Sequence, residues 1–364
     1  MGRGLRTAWL GAAAAVAVAA GVAGVALAGP VNRALVDRDA TWLVHIDAEA
    51  AQKSSMHALI LNALSPEDRS KLEETRKRFG IAPGDIKGMT VYGTNIMDDG
   101  VAVLTTTGKA DQLSVSLPNA GLEDFQTRVE GSVHYFSFKH EKQRFFAAVR
   151  SSAAGIPDER LVLIAGSAAK LEMGLKVVSA VAPSLAVDPQ PANLLVAAQP
   201  ERSSIIFVAA REIGNDPQAR ASFLRNARGV VVDFGETIEA PREMYATVSL
   251  TAINAKVAEE LKQTCVGMMA LGKMIAREND AQPLVESLDL VKVTVESDKL
   301  LVVARERSET VIGKVAQLKA MIEREEGKRP AAKLVVEKPD APKGEEAKET
   351  KDSKDTKEPA AKEP

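Results

Sequence analysis

Residues 42–50 read WLVHIDAEA, and the alternation in this stretch decides the fold class. In an extended chain Trp42, Val44 and Ile46 point one way and Leu43, His45 and Asp47 the other, the two-residue period of a half-buried strand. From Ala48 the text turns helical, and an aspartate at such a junction makes a good N-cap.

A similar opening recurs at residues 204–212, SIIFVAARE. Working outward from the first opening, a helix follows up to Phe79 and Gly80, then strands GMTVYGT (88–94) and GVAVLTTT (100–107). Helical text near KADQLSVSL comes next, then strands VHYFSFK (133–139) and RFFAAVR (144–150), an apolar run RLVLIAGS (160–167), and a helix over 168–181. From the second opening the order is a helix around 218–225, strands GVVVDFG (229–235) and EMYATVSLT (243–251), and a long helix over 254–278. Strands LVKVTVES (290–297) and KLLVVARE (299–306) and a last helix over 309–325 complete it.

Both series run strand, helix, two strands, helix, two strands, helix, the order expected of an internal duplication. One common shift sets Leu161 on Leu300, Ala165 on Ala304 and Gly174 on Gly313, and a nearby shift sets Val91–Gly93 on Asp233–Gly235. The expected fold class is therefore α+β, with units at 37–190 and 191–326. Each is a mostly antiparallel sheet of the ferredoxin-like order with helices on one face. Whether the two share one sheet or stack two sheets face to face is left open, since both satisfy the same alternation.

Local punctuation agrees. SPEDRSKLEETRKRFG (65–80) offers Ser65 as N-cap, Pro66 in the first turn, Glu67 and Asp68 near the positive end of the helix dipole, and Gly80 beyond the basic end. Asp99-Gly100 between two alternating runs marks a hairpin, and it lacks the spaced oxygen ligands of a calcium loop.

The chain's ends read differently from its middle. Residues 1–28 carry Arg3 and Arg6 before an uncharged run that finishes on Ala26-Leu27-Ala28, the pattern of a cleaved secretory signal. Residues 8–28 are also long enough to serve as an uncleaved anchor, the one route by which the membrane becomes a partner. Either way the body is exported, to the periplasm or beyond. From 327 to 364 the text is Lys-, Glu-, Asp- and Pro-rich with almost nothing apolar, which predicts a disordered charged tail. A net charge of -2 and a pI near 6.2 leave no basic field for nucleic acid. The single cysteine, Cys265, excludes an intramolecular disulfide and reads as a small buried hydrophobe.

Candidate chemistry is sparse. His45 and Asp47 share a strand face and are the catalytic candidates. The other histidines, His57, His134 and His140, form no metal-ligand spacing with them, so neither a metal nor a cofactor is expected. Laying WLVHIDAEA on IIFVAAREI places Val208 opposite His45 and Ala210 opposite Asp47, so the position tolerates apolar side chains. The hairpin VHYFSFKHEKQRFFAAVR concentrates aromatics in a chain that is only 4% aromatic. Cross-strand core packing accounts for most of them, with Tyr135 and Phe146 the candidates for a partner surface. Leu261, Cys265, Met268 and Ile275 fall on one stripe of the long helix, read as its buried face. Nucleophile-elbow, P-loop and dinucleotide-binding motifs are missing from the sequence.

The alanine-rich export signal, TWLVHIDAEA, FGIAPGDIKGMTVYGT and RLVLIAGSAAKLEMGL together resemble the uncharacterised exported proteins of planctomycete-type bacteria, over residues 40–190. That resemblance implies an extracytoplasmic address and brings no active residues with it. The expected function is non-enzymatic binding or envelope organisation with a protein or envelope component as partner. The alternatives are a metal-assisted hydrolase built on the first unit and a carrier with a pocket between the units.

Overall fold

The computed structural model describes residues 31–57, 65–94, 100–140, 143–151, 158–187, 202–212 and 223–328. The signal reading, most of the tail reading, Asp99 of the expected turn and the helix expected from 218 lie outside these residues, apart from a 3-10 turn at Phe223–Asn226. The body of the chain ends at Ile322. Of the piece from Glu323 onward, only the end of the last helix, to Lys328, is described.

Among the described residues twelve strands form one sheet. In chain order they are β1 (Trp42–Asp47), β2 (Ile86–Gly93), β3 (Val101–Thr107), β4 (Glu123–Glu130), β5 (Val133–His140) and β6 (Gln143–Ser151). The remainder are β7 (Glu159–Ala165), β8 (Arg202–Arg211), β9 (Ala227–Thr237), β10 (Glu243–Ala252), β11 (Lys292–Glu296) and β12 (Lys299–Arg307). Their order across the sheet is β11-β12-β10-β9-β8-β1-β2-β3-β7-β6-β5-β4. The strands expected in two units thus hydrogen-bond across one seam, where β1 lies antiparallel to β8 with His45 opposite Phe207. One continuous sheet is the answer to the question the alternation left open.

Every pairing in the sheet is antiparallel. The ferredoxin-like expectation is corrected by this: a split βαβ unit needs a parallel crossover, whereas β1 and β2 are direct antiparallel neighbours despite the helices between them.

Seven helices accompany the sheet among the described residues: α1 (Ala48–Lys53), α2 (Pro66–Phe79), α3 (Leu113–Ser116), α4 (Ala168–Val178), α5 (Ala255–Glu278), α6 (Gln282–Asp289) and α7 (Ser308–Lys328). Their starts follow the local chemistry. Ser65 accepts from Asp68 N–H at 3.0 Å and Asn254 from Val257 N–H at 2.9 Å, while Gly80 closes α2 at φ 71°, a conformation that favours glycine.

The helices lie on both faces of the sheet, not on one. Leu171, Leu175 and Val178 of α4 pack with Leu43, Tyr92, Val101 and Leu163. The neighbouring β2 residue Val91 belongs instead to the opposite cluster with Met89, Ala102 and Leu113 of α3. That second face continues through the pairs Val91–Val44–Val208–Val232–Val248–Val302 to the cluster where Ala258 and Leu261 of α5 meet Leu250 and Leu300.

Two residue-level alignments fail on this geometry, because a slip of one residue moves a side chain to the other face. Leu161 packs under α4 while Leu300 packs under α5. Val208 lies beside Val44, across the sheet from the face that carries His45, whose neighbour is Phe207.

Helix α4 approaches the sheet closely at Gly174, where a Cβ would stand 2.9 Å from Val101 Cγ1 and 3.3 Å from Leu163 Cδ2. Both contacts are buried core side chains. Gly174→Val is therefore expected to lower unfolding stability by about 2 kcal/mol, overpacking outweighing any gain in helix propensity, as read by the midpoint of urea denaturation.

Candidate functional site

His45 sits mid-strand on β1, 8% exposed, in the row Thr90–His45–Phe207. Its Nδ1 and Thr90 Oγ1 are hydrogen-bonded at 2.9 Å, and Nε2 is buried with no hydrogen-bond partner. A charged imidazolium there would bury an unmatched N–H donor, so burial lowers its pKa from 6.5 to about 4. The ring is neutral at physiological pH.

Asp47 ends the strand, 3% exposed, and accepts from Ala50 N–H at 2.7 Å as the N-cap of α1. Burial pushes its carboxyl up to about 7, nearby Glu49 pushes the same way, and the cap bond from Ala50 opposes both. The two candidates share a face, as their spacing requires, but each is committed to a different neighbour, Thr90 for one and the α1 N-terminus for the other. Among the described residues no group of three or more His, Cys, Asp or Glu could hold a metal ion. The arrangement does the work of packing and capping.

The aromatic hairpin is likewise turned inward. Phe136 and Phe145 are buried, Phe125 stacks on Phe136 at 6.1 Å and Phe138 on Phe145 at 5.9 Å. Tyr135 and Phe146 are half-buried against the core under α4, and the Arg128 guanidinium lies 4.4 Å over the Tyr135 ring. His134 meets Ser114 at 3.0 Å.

Sequence reasoning passed over two features. The first is a buried clasp around Glu236, which is 4% exposed. Its carboxylate accepts from Ser308 Oγ at 2.5 Å, Ser55 N–H at 3.0 Å and Arg242 Nη1 at 3.4 Å, while the same Arg242 nitrogen donates to Lys53 O at 2.8 Å. Burial alone would raise this carboxyl, but the Ser308 and Ser55 hydrogen bonds and Arg242 hold it below its ordinary value. No spacing in the chain could reveal a cluster drawn from residues 53, 55, 236, 242 and 308.

The second is the surface of α5. Leu261 is buried and Cys265 half-buried, as the stripe predicted, but Met268 and Ile275 are 52% and 49% exposed, which corrects their placement in a buried face. Val266, Leu271 and Met274 are exposed to a similar degree on the side away from the sheet. The reason is reach. The sheet covers α5 near Ala258 and Leu261, while farther along Gly272 faces Leu288 of α6, Lys273 pairs with Asp289 at 2.6 Å and only Ala276 is deeply buried. A signal existed: between Cys265 and Ala276 only Lys273 is charged, so the helix is apolar all round, whereas one covered face needs an apolar stripe alone. Burial also raises the Cys265 thiol, leaving it a weak nucleophile.

No described helix is long and apolar enough to cross a membrane. No protein-family model matches the chain, and no curated protein matches it. Among solved structures the chain is similar to crystal form III of TP0453, at 11% identity and a TM-score of 0.40 over 80% of this chain and 99% of that one. Crystal form I of the same protein has 12% identity and a TM-score of 0.38 over 80% and 98%.

Proposed function

We propose that this is an exported, non-enzymatic protein that organises the cell envelope by associating through the outer face of α5. One observation carries the reading: five large apolar side chains, Val266, Met268, Leu271, Met274 and Ile275, lie about half exposed on one helix. Soluble domains rarely leave so continuous an apolar patch uncovered unless something binds it. The occupant is a protein surface. His45 and Asp47 support the reading by default of chemistry, being committed to Thr90 and to α1.

The N-terminal segment, with Arg3 and Arg6 ahead of an apolar run ending in Ala26-Leu27-Ala28, supports export. The interleaved charges after Lys328 support a solvated spacer. We further take the body to be a duplicated module. The order β1-β2-β3-β7 on one side of the seam and β8-β9-β10-β12 on the other supports this, with β4–β6 inserted in the first copy and β11 added to the second.

Leu271→Glu is expected to leave the fold of the single chain intact, as read by an unchanged far-UV circular dichroism spectrum, and to shift the protein out of large assemblies in envelope extracts. His45→Leu should leave those assemblies intact. Assemblies that survive Leu271→Glu but are lost in His45→Leu would refute the reading.

A further inference from the structure

The exposed side of α5 carries two rows at four-residue spacing, Val266–Ala270–Met274 and Gly267–Leu271–Ile275, the ridges by which helices interlock. The first row is large, small, large about Ala270 and so has the same profile in either direction. A surface with that property matches its own copy across a two-fold axis. We propose that the chain forms a homodimer in which α5 packs antiparallel against α5 of a second copy, the axis passing near Ala270. This rests on the reading above and names its partner.

Three features favour a second copy. The first is shape: Ala270 opposite Ala270, flanked by Gly267, lets the two axes approach to about 8 Å, with Val266 of each copy seated beside Met274 of the other. The second is apolar character. Val266, Leu271, Met274 and Ile275 are each about half exposed and lie on the two rows that would meet, so the contact has the apolar centre of a specific interface. Third, the antiparallel arrangement carries Arg277 near the end of α5 to within a helical turn of Glu260 near the start of the other. A parallel arrangement would set like charges side by side.

The test exploits the single native cysteine. In the full-length chain bearing Cys265→Ser and Ala270→Cys, mild oxidation is expected to give a disulfide-linked dimer as the major species. The same background with Val115→Cys, at a position 71% exposed and far along the chain, should give no disulfide-linked dimer on denaturing electrophoresis. Adding Leu271→Glu should abolish the cross-link and halve the mass found by sedimentation equilibrium at micromolar concentration. A parent chain that sediments as one copy, or cysteines at 115 and 270 that cross-link equally, overturns the dimer. If the dimer is overturned while Leu271→Glu still removes the protein from envelope assemblies, the partner is a different protein. If the dimer forms but the envelope assemblies do not depend on Leu271, it is the broader reading that falls.

Discussion

His45→Leu is expected to raise stability relative to the parent at acid pH, and Asp47→Asn to raise it at neutral and alkaline pH. Both effects come from burial. The unfolded imidazole takes a proton near pH 6.5, but in the fold it resists one until about pH 4. Between those values the unfolded state binds more protons, so the parent loses stability as pH falls through this window, by about 3 kcal/mol in all. Leucine has no proton to bind. Its gain over the parent should be near zero above pH 7 and approach about 3 kcal/mol below pH 4, less a constant amount for leaving Thr90 without its partner.

Asp47 runs the other way. Its carboxyl, near 3.8 unfolded, is raised to about 7 by burial, so in that interval it is the folded state that holds the extra proton. Stability contributed by the protonated form is lost as pH rises through 7, up to about 4 kcal/mol. Asparagine caps a helix as well as aspartate and does not ionise, so Asp47→Asn should match the parent below pH 4 and exceed it most above pH 7. In the parent the two terms nearly cancel between pH 4 and 6.5, because unfolding there moves one proton from the carboxyl to the imidazole. Urea denaturation across pH 3.5–8.5 separates them. Two stability differences that are flat with pH would show that neither group is buried as described.

The second large effect is expected at Glu236. Glu236→Ala removes the acceptor shared by Ser308 Oγ, Ser55 N–H and Arg242, and should cost about 3–5 kcal/mol, mainly two hydrogen bonds to a charged acceptor at about 1.5–3 kcal/mol each. Arg242 is itself half exposed, so most of the loss comes from the two serine hydrogen bonds, not from the ion pair. Glu236→Gln should lose less and should also flatten the acid side of the stability profile. A carboxyl held below its ordinary value adds stability above its unfolded pKa, and that stability is lost as pH falls through the folded one. Ser308→Ala, which deletes one hydrogen bond, is expected to cost about 1–2 kcal/mol. Equal stabilities for the parent and Glu236→Ala would mean that the clasp does not join α1, β9 and α7 in solution.

Local elements were legible wherever local physics specifies them. WLVHID alternates and is a strand; Asp47 and Ser65 cap the helices they precede; and the long helix begins and ends where its text does. Two elements were not anticipated. β4, EDFQTRVE, is an edge strand exposed along nearly its whole length, so no buried face imposes an alternation on it. α6, QPLVESLD, is a short helix whose buried residues, Pro283 and Val285, are too few to set a period.

His45 and Asp47 were correctly placed on one face, but facing alone could not show that Thr90 and Ala50 occupy them. The α5 surface was misread for the complementary reason. Periodicity identifies which side chains share a stripe, whereas exposure depends on how far the sheet extends beneath it.

The sequence by itself determined the α+β class, the caps, the strand alternation, and the absence of a basic field or a disulfide, because each depends on neighbours in the chain or on composition. Only the tertiary structure decided that β1 meets β8 in one antiparallel sheet, that helices cover both faces, and that Glu236 gathers Ser55 and Ser308. Strand order and register are choices among distant segments with similar apolar patterns. A slip of one residue, invisible in the pattern, exchanges the two faces of the sheet.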